Sequence, residues 1–290
     1  MLSNIVIATD GSEASRAMLR CMDGLRKVGS KEAALVHVFH IRDVGGLYTS
    51  LQKLMLPELE KQAEILRGFG FKVDLLTPLG IPYYEINRIA RERSASMIVV
   101  GSLGASLINE ILLGSTAHSI LQNTVLPTLL IRIEITEENG GLKCRVACDN
   151  LFKHILFPTD FSDNAEHALH YLEHVVKETN AGVTLLHVQD QSKIGKHLEE
   201  RLEEFNRIDL ERLEGIRSRL KEFGVSTVNI EIPYGLPTRV ILEKARSSAY
   251  SLILMGSQGR GFIHEVFMGS VANNIARYAP LPVLFVPAPR

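Results

Sequence analysis

The chain has 290 residues, a formal net charge of −1 and three cysteines. A near-neutral balance without a long basic run argues against a sequence-independent nucleic-acid footprint, and no apolar stretch approaches the roughly 20 residues needed to span a bilayer. The odd cysteine count fits a reducing compartment rather than a disulfide framework, and the N-terminus enters a strand without a leader pattern, so the expected location is the cytoplasm.

The first apolar run, Ile5–Ala8, ends in Thr9-Asp10. Ser12 then stands as a helix N-cap before an amphipathic stretch, Ala14–Val28, because a short polar side chain satisfies the orphan amides of a first turn. A second run, Ala34–Phe39, carries His37-Val38. A long helical pattern over Leu51–Phe69 stops at Gly70, where glycine supplies the left-handed cap. Strand Phe71–Leu76, the turn Gly80-Ile81-Pro82 and helix Tyr83–Ser94 lead to the run Met97–Val100. A glycine loop, Gly101-Ser102-Leu103-Gly104, is followed after nine residues by Gly114-Ser115, a helical pattern over Thr116–Gln122, Pro127 and a last run, Thr128–Ile131.

The same series then repeats. Thr159-Asp160, Ser162, His187-Val188, Gly224, Gly235-Leu236-Pro237, the loop Gly256-Ser257-Gln258-Gly259, Gly269-Ser270 and Pro282 recur in order. The runs are Ile155–Phe157, Val183–Val188, Ser226–Ile232, Leu252–Met255 and Val283–Val286. Runs this apolar are expected of parallel strands buried on both faces, and strict β/α alternation gives a doubly wound α/β sandwich. The domains are expected at 1–135 and 151–290. Between them, 136–150 reads as a linker, since Gly140-Gly141 follow a charged run, although Leu142–Ala147 is apolar enough for a short strand. The Lys196–Glu222 stretch, crowded with Glu, Arg and Lys, reads as a solvated helix face.

Chemistry concentrates at the strand ends. Asp10 and Asp160 lie at the C-terminal edge, where open parallel sheets take ligands, and a carboxylate there accepts hydrogen bonds from a ribose or an adenine amine. Gly104 and Gly259 let the backbone approach phosphate oxygens without a β-carbon in the way, at a position expected to carry positive φ. Gly114-Ser115 and Gly269-Ser270 open the following helices and aim donors at the same phosphates. Arg260 adds a charged donor that Ala105 lacks, so the second site is expected to hold phosphates more strongly. His37 and His187 read as satisfied strand histidines. His264 has Asn109 as its counterpart, which argues against a shared catalytic role. Cys144 and Cys148 are spaced for a redox pair or half of a metal site, but His154 is the one further ligand type nearby, so they read as small linker residues and no metal site is assigned.

No P-loop with its lysine, no dinucleotide fingerprint after either first strand and no nucleophile elbow are present in the sequence. Two readings follow. One is an adenine-nucleotide-binding module that reports nucleotide state, with slow or no hydrolysis. The other is an enzyme that cleaves or transfers a phosphate or adenylyl group, for which a general base or metal constellation is missing.

The chain resembles the universal stress protein family in a tandem, ATP-binding form. The family pattern G-x2-G-x9-G-[ST] reads as Gly101/Gly104/Gly114/Ser115 and as Gly256/Gly259/Gly269/Ser270. The segment ending the family's first strand matches Pro158-Thr159-Asp160, whereas Ala8-Thr9-Asp10 lacks the proline. The resemblance implies a five-stranded parallel sheet of order 3-2-1-4-5 in each domain and backbone contact of Val38 and Val188 with adenine. The implied ligand is ATP or AMP, with Mg2+ accompanying ATP. It further implies pairing of the two domains through Leu129–Arg132 and Val283–Val286, a homodimer as a further assembly, and a stress-response or regulatory role through an unidentified protein partner. The alternative enzyme would belong to the related adenine-nucleotide hydrolase-like group.

Overall fold

The computed structural model describes residues 2–103, 113–138, 141–146, 150–195, 200–247, 249–259 and 268–289. The chain divides into two compact units, Met1–Asp149 and Asn150–Arg290. The first unit contains β1 (Asn4–Ala8), α1 (Glu13–Leu19), β2 (Glu32–Val36), α2 (Tyr48–Gly68), β3 (Lys72–Leu76), α3 (Pro82–Glu92), β4 (Met97–Gly101), α4 (Ser115–Asn123) and β5 (Thr128–Ile131). Its strands pair in parallel in the order β5-β4-β1-β2-β3, which is the expected 3-2-1-4-5 read from the other edge. Ile5, Val6 and Ile7 of β1 are wholly buried, as a central parallel strand covered on both faces requires.

A hairpin of β6 (Ile133–Glu138) and β7 (Gly141–Val146) closes the first unit and packs on α1. Much of the stretch expected as linker is therefore antiparallel sheet. Cys21 is buried and disulfide-bonded, in contrast to the expectation of reduced cysteines. Cys144 in β7 is a free thiol, pushed up by burial and by the Glu13 and Asp10 carboxylates. Cys148 lies outside the described residues.

The second unit contains β8 (His154–Pro158), α5 (Asp163–Thr179), β9 (Gly182–Leu186), α6 (Leu202–Glu222), β10 (Val228–Glu231), α7 (Pro237–Ala245), β11 (Leu252–Gly256), α8 (Ser270–Tyr278) and β12 (Val283–Val286). Its parallel order is β10-β9-β8-β11-β12. The registers coincide as well: Ile5 lies opposite Ala33 and Met97, and Ile155 opposite Val183 and Leu252. The caps fall where the polar pattern placed them. Ser12 and Ser162 accept from Ser15 N and Ala165 N at 3.2 Å each, and Gly70 and Gly224 hold φ of 86° and 89°.

The first helix differs between the units. α5 runs unbroken, but the stretch expected as one helix over 14–28 is split into α1, a tight turn at Arg20–Met22 and a short helix, Asp23–Lys27. Gly24, a poor helix former, stands where the second unit has His174.

Candidate functional site

Both units build their C-terminal edge in the same way. Thr9 N donates to Val36 O and Thr159 N to Leu186 O, each at 2.9 Å, so the sheet runs one residue past β1 and β8. The next residue, Asp10 or Asp160, is the first beyond the edge. Its Oδ1 accepts from the backbone of Ser12 at 3.0 Å or of Ser162 at 3.1 Å. Asp10 Oδ1 also accepts from the Ser15 hydroxyl at 2.6 Å. The chain then turns through a left-handed residue, Gly11 at φ 78° or Phe161 at φ 58°.

Gly114 N donates to Ser102 O and Gly269 N to Ser257 O, both at 2.7 Å. This bond closes the base of each loop and delivers the chain into α4 or α8. Gly114 and Gly269 are the N-caps, and neither contributes a capping side chain. The first-turn amides of both helices are therefore left to other partners, at the end of the helix that favours negative charge.

The glycines are required for different reasons. A β-carbon on Gly256 would come within 2.7 Å of Asn164 Nδ2, which is buried and donates to Gln258 O at 3.1 Å. One on Gly101 would come within 2.7 Å of Ile133 Cδ1. One on Gly259 would meet Asp160 Oδ2 at 2.8 Å. Gly259 does not have the expected positive φ; what excludes a side chain there is the neighbouring carboxylate. Gly114 and Gly269 are unlike these. Among the described residues, a β-carbon would meet nothing closer than 3.5 Å at Gly114 and 3.6 Å at Gly269.

In the second unit these features surround a cavity of 460 Å³. Pro158, Asp160, Val188, Gly256, Gly259, Gly269 and Ser270 all line it. Leu186, Ile194, Ile241 and Met255 supply an apolar wall, and His187, Asp190 and Lys193 supply polar groups. In the first unit Asp10, Val38, Gly101, Gly114 and Ser115 come to the equivalent sheet edge. Gly104 and Arg260 lie outside the described residues. Sequence reasoning missed Ile194, Ile241 and Met255, whose signal was only that of apolar core positions. It also missed Asn164, which as the second residue after a capping serine read as part of a helix start. Among the described residues no group of three or more His, Cys, Asp or Glu side chains is arranged to hold a metal ion, and no helix is long and apolar enough to cross a membrane.

The model of the universal stress protein family matches residues 1–132 and again 151–287. The chain belongs to the universal stress protein family. A universal stress protein of Methanocaldococcus jannaschii is 32% identical over 155 residues, covering 47% of this chain and 95% of the relative. The universal stress protein YxiE of Bacillus subtilis is 30% identical over 148 residues, covering 46% of this chain and all of the relative. A crystal structure of a universal stress protein from Archaeoglobus fulgidus aligns with a TM-score of 0.75 at 26% identity, covering 97% of each chain. The family thus appears twice in tandem here, as its doubly wound α/β fold.

Proposed function

We propose that this protein binds an adenine nucleotide, ATP or AMP, in the second-unit cavity and acts as a stress-response or regulatory protein that reports nucleotide state to a protein partner, with slow or no hydrolysis. Gly269 carries the reading. Its φ of −71° and ψ of 160° suit any residue, and the described atoms leave room for a side chain. As an N-cap, Ser, Asp or Asn would serve the helix slightly better. Among the described residues no packing contact calls for glycine there, whereas a phosphate approaching the backbone does.

In this reading the apolar wall of Val188, Ile194, Ile241 and Met255 takes the base, and Asp160 takes the ribose or the adenine amine. Gly259, the Ser270 hydroxyl and the first-turn amides of α8 take the phosphates, with Arg260 as a charged donor. Asp10, Val38, Gly101, Gly104, Gly114 and Ser115 form the corresponding, weaker site. The chemistry of the lining supports binding over turnover. His187, the one imidazole among the described lining residues, is engaged at both ring nitrogens, by Thr159 O at 2.8 Å and by Asp209 Oδ2 at 3.4 Å, and so is not placed to activate a water.

Identification of the nucleotide that co-purifies, with calorimetry for ATP and AMP and a turnover assay with Mg2+, tests this. Dedicated enzymes typically turn over at about 1–10³ s⁻¹. Turnover in that range would favour the hydrolase or transfer reading, and no affinity for either nucleotide would end both.

A further inference from the structure

His187 and its first-unit counterpart His37 share one hydrogen bond and differ in the other. Nδ1 faces the threonine carbonyl that ends the central strand, His37 to Thr9 at 3.1 Å and His187 to Thr159 at 2.8 Å. A carbonyl oxygen only accepts, so Nδ1 carries a proton in both rings. The charge is decided at Nε2. In the second unit Nε2 lies 3.4 Å from Oδ2 of Asp209, an α6 carboxylate only 14% exposed. Two further groups reach that carboxylate: Gln189 Nε2 donates to Oδ2 at 2.9 Å, and Arg212 Nη1 is 3.6 Å from Oδ1. A neutral ring protonated at Nδ1 would turn its Nε2 lone pair onto an anion. A second proton converts that clash into an ion pair.

The pair is covered. Phe161 lies over the imidazole with ring centroids 4.5 Å apart, and the Arg212 guanidinium lies 3.9 Å from the Phe161 centroid. Phe161 holds a φ of 58° to do so, a conformation uncommon for a bulky residue. Excluding water strengthens the attraction beneath it. Among the described residues, the first unit has no counterpart of this pair or its cover. In its 21-residue helix, α2, the position matching Asp209 is Met55, and Gly11 replaces Phe161.

We propose that Asp209 is a positioning residue of the second-unit cavity: it holds His187 as an imidazolium whose Nδ1–H fixes the Thr159 carbonyl next to Asp160, and it makes nucleotide binding at this unit proton-linked. The linkage rests on the nucleotide reading above; the ion pair does not. A polyphosphate brings negative charge to a cavity that His187 lines, which raises the proton affinity of the ring. By reciprocity the ligand binds more weakly as pH rises from the free towards the bound midpoint. Among the described residues, the charged groups near the ring are Asp209 and Arg212 from α6, and Asp160, Asp190 and Lys193, which line the same cavity. Imidazole is the side chain among these types that ordinarily titrates near neutrality.

The test is an NMR titration of the His37 and His187 rings in the full chain, with and without ATP, in the wild type, Asp209→Met and Asp209→Asn. Asn keeps the shape of the site should Met disturb folding. The His187 midpoint is expected about one unit or more above that of His37, both variants should abolish the gap, and ATP should raise the His187 midpoint further. In calorimetry from about pH 6 to 9, the wild type should lose ATP affinity relative to Asp209→Met as pH rises, since the nucleotide's own titration cancels between them. A His187 midpoint at or below that of His37, or one unmoved in both variants, overturns the ion pair. Equal pH profiles in wild type and variant overturn the linkage. Absence of ATP binding at every pH, with the gap intact, overturns the nucleotide reading and the linkage but upholds the pair.

Discussion

The two units share strand order, register and the hydrogen bond that closes each glycine loop, yet differ in what stands behind the carboxylate at the sheet edge. In the first unit Gly11 is packed against Met55 and Leu59, and Thr9 Oγ1 donates to the wholly buried Gln62 at 2.6 Å. In the second, an aromatic ring, an imidazole, a carboxylate and a guanidinium occupy the corresponding space. The ion pair between first and second long helices is reversed in sign too: Arg16 with Glu58 in one unit, Glu166 with Arg219 in the other. A duplicated sheet thus keeps its backbone geometry while the long helix behind it sets the polarity of the site.

The largest expected effect comes from Gly259→Val. A β-carbon there displaces the Asp160 carboxylate from 2.8 Å, so the tighter of two ATP-binding events should disappear from full-chain calorimetry, whereas Gly104→Val should remove the weaker one. The opposite assignment would reverse the comparison of the units. Arg260→Ala is next: loss of a charge-assisted bond of about 1.5–3 kcal/mol should weaken ATP roughly tenfold to a hundredfold and AMP less. Equal losses in ATP and AMP would place the arginine elsewhere than on the outer phosphates.

Gly269→Ala separates fold from ligand. Alanine reduces the freedom of the unfolded chain but is a poorer N-cap, so denaturant stability should stay within about 1 kcal/mol while ATP affinity falls. A variant that binds ATP normally would show that the glycine has no bearing on the phosphates.

The smallest effect concerns pH. Burial pushes the His37 imidazole below its ordinary value of 6.5, against the Thr9 carbonyl and the Asp10 carboxylate, which act to raise it. A depressed histidine makes the unfolded chain bind more protons in that range. The corresponding stability is complete above about pH 6.5 and is lost as pH falls towards the folded-state value. His154 and His167 are depressed by burial in the same direction. Urea melts of His37→Gln should therefore show a shallower loss of stability on acidification than the wild type, and an unchanged slope would assign the effect to the other histidines.

The sheet order was legible because the central strands, β1, β4, β8 and β11, are short apolar runs, and Ser12 and Ser162 mark the first helix of each unit. The hairpin was harder to see. Asn139-Gly140 between the alternating Ile133/Ile135 and Leu142/Cys144/Val146 is a hairpin signature, but the charges at Glu134, Glu137 and Glu138 read more readily as linker. The glycines, Asp160 and Ser270 of the cavity lining were legible because a glycine pattern at a strand end has few physical uses. The Asp209–His187 pair was not. The extra residues of the second copy fall between β9 and α7, which hides the match of Met55 with Asp209 until the two 21-residue helices are laid side by side.

The unequal reasons for the glycines bear on how such a protein would drift over evolutionary time. If a descendant ceased to use its ligand, Gly101 and Gly256 would still be constrained, because a β-carbon would crowd Ile133 and the Leu103 carbonyl in one unit and the buried Asn164 in the other. Gly114 and Gly269 meet no such neighbour among the described residues and would be free to mutate first. In a lineage of these duplicated chains, the glycine opening the last helix of each unit is then the one whose loss dates the abandonment of a site, and the glycine that starts the pattern persists as a fossil of packing.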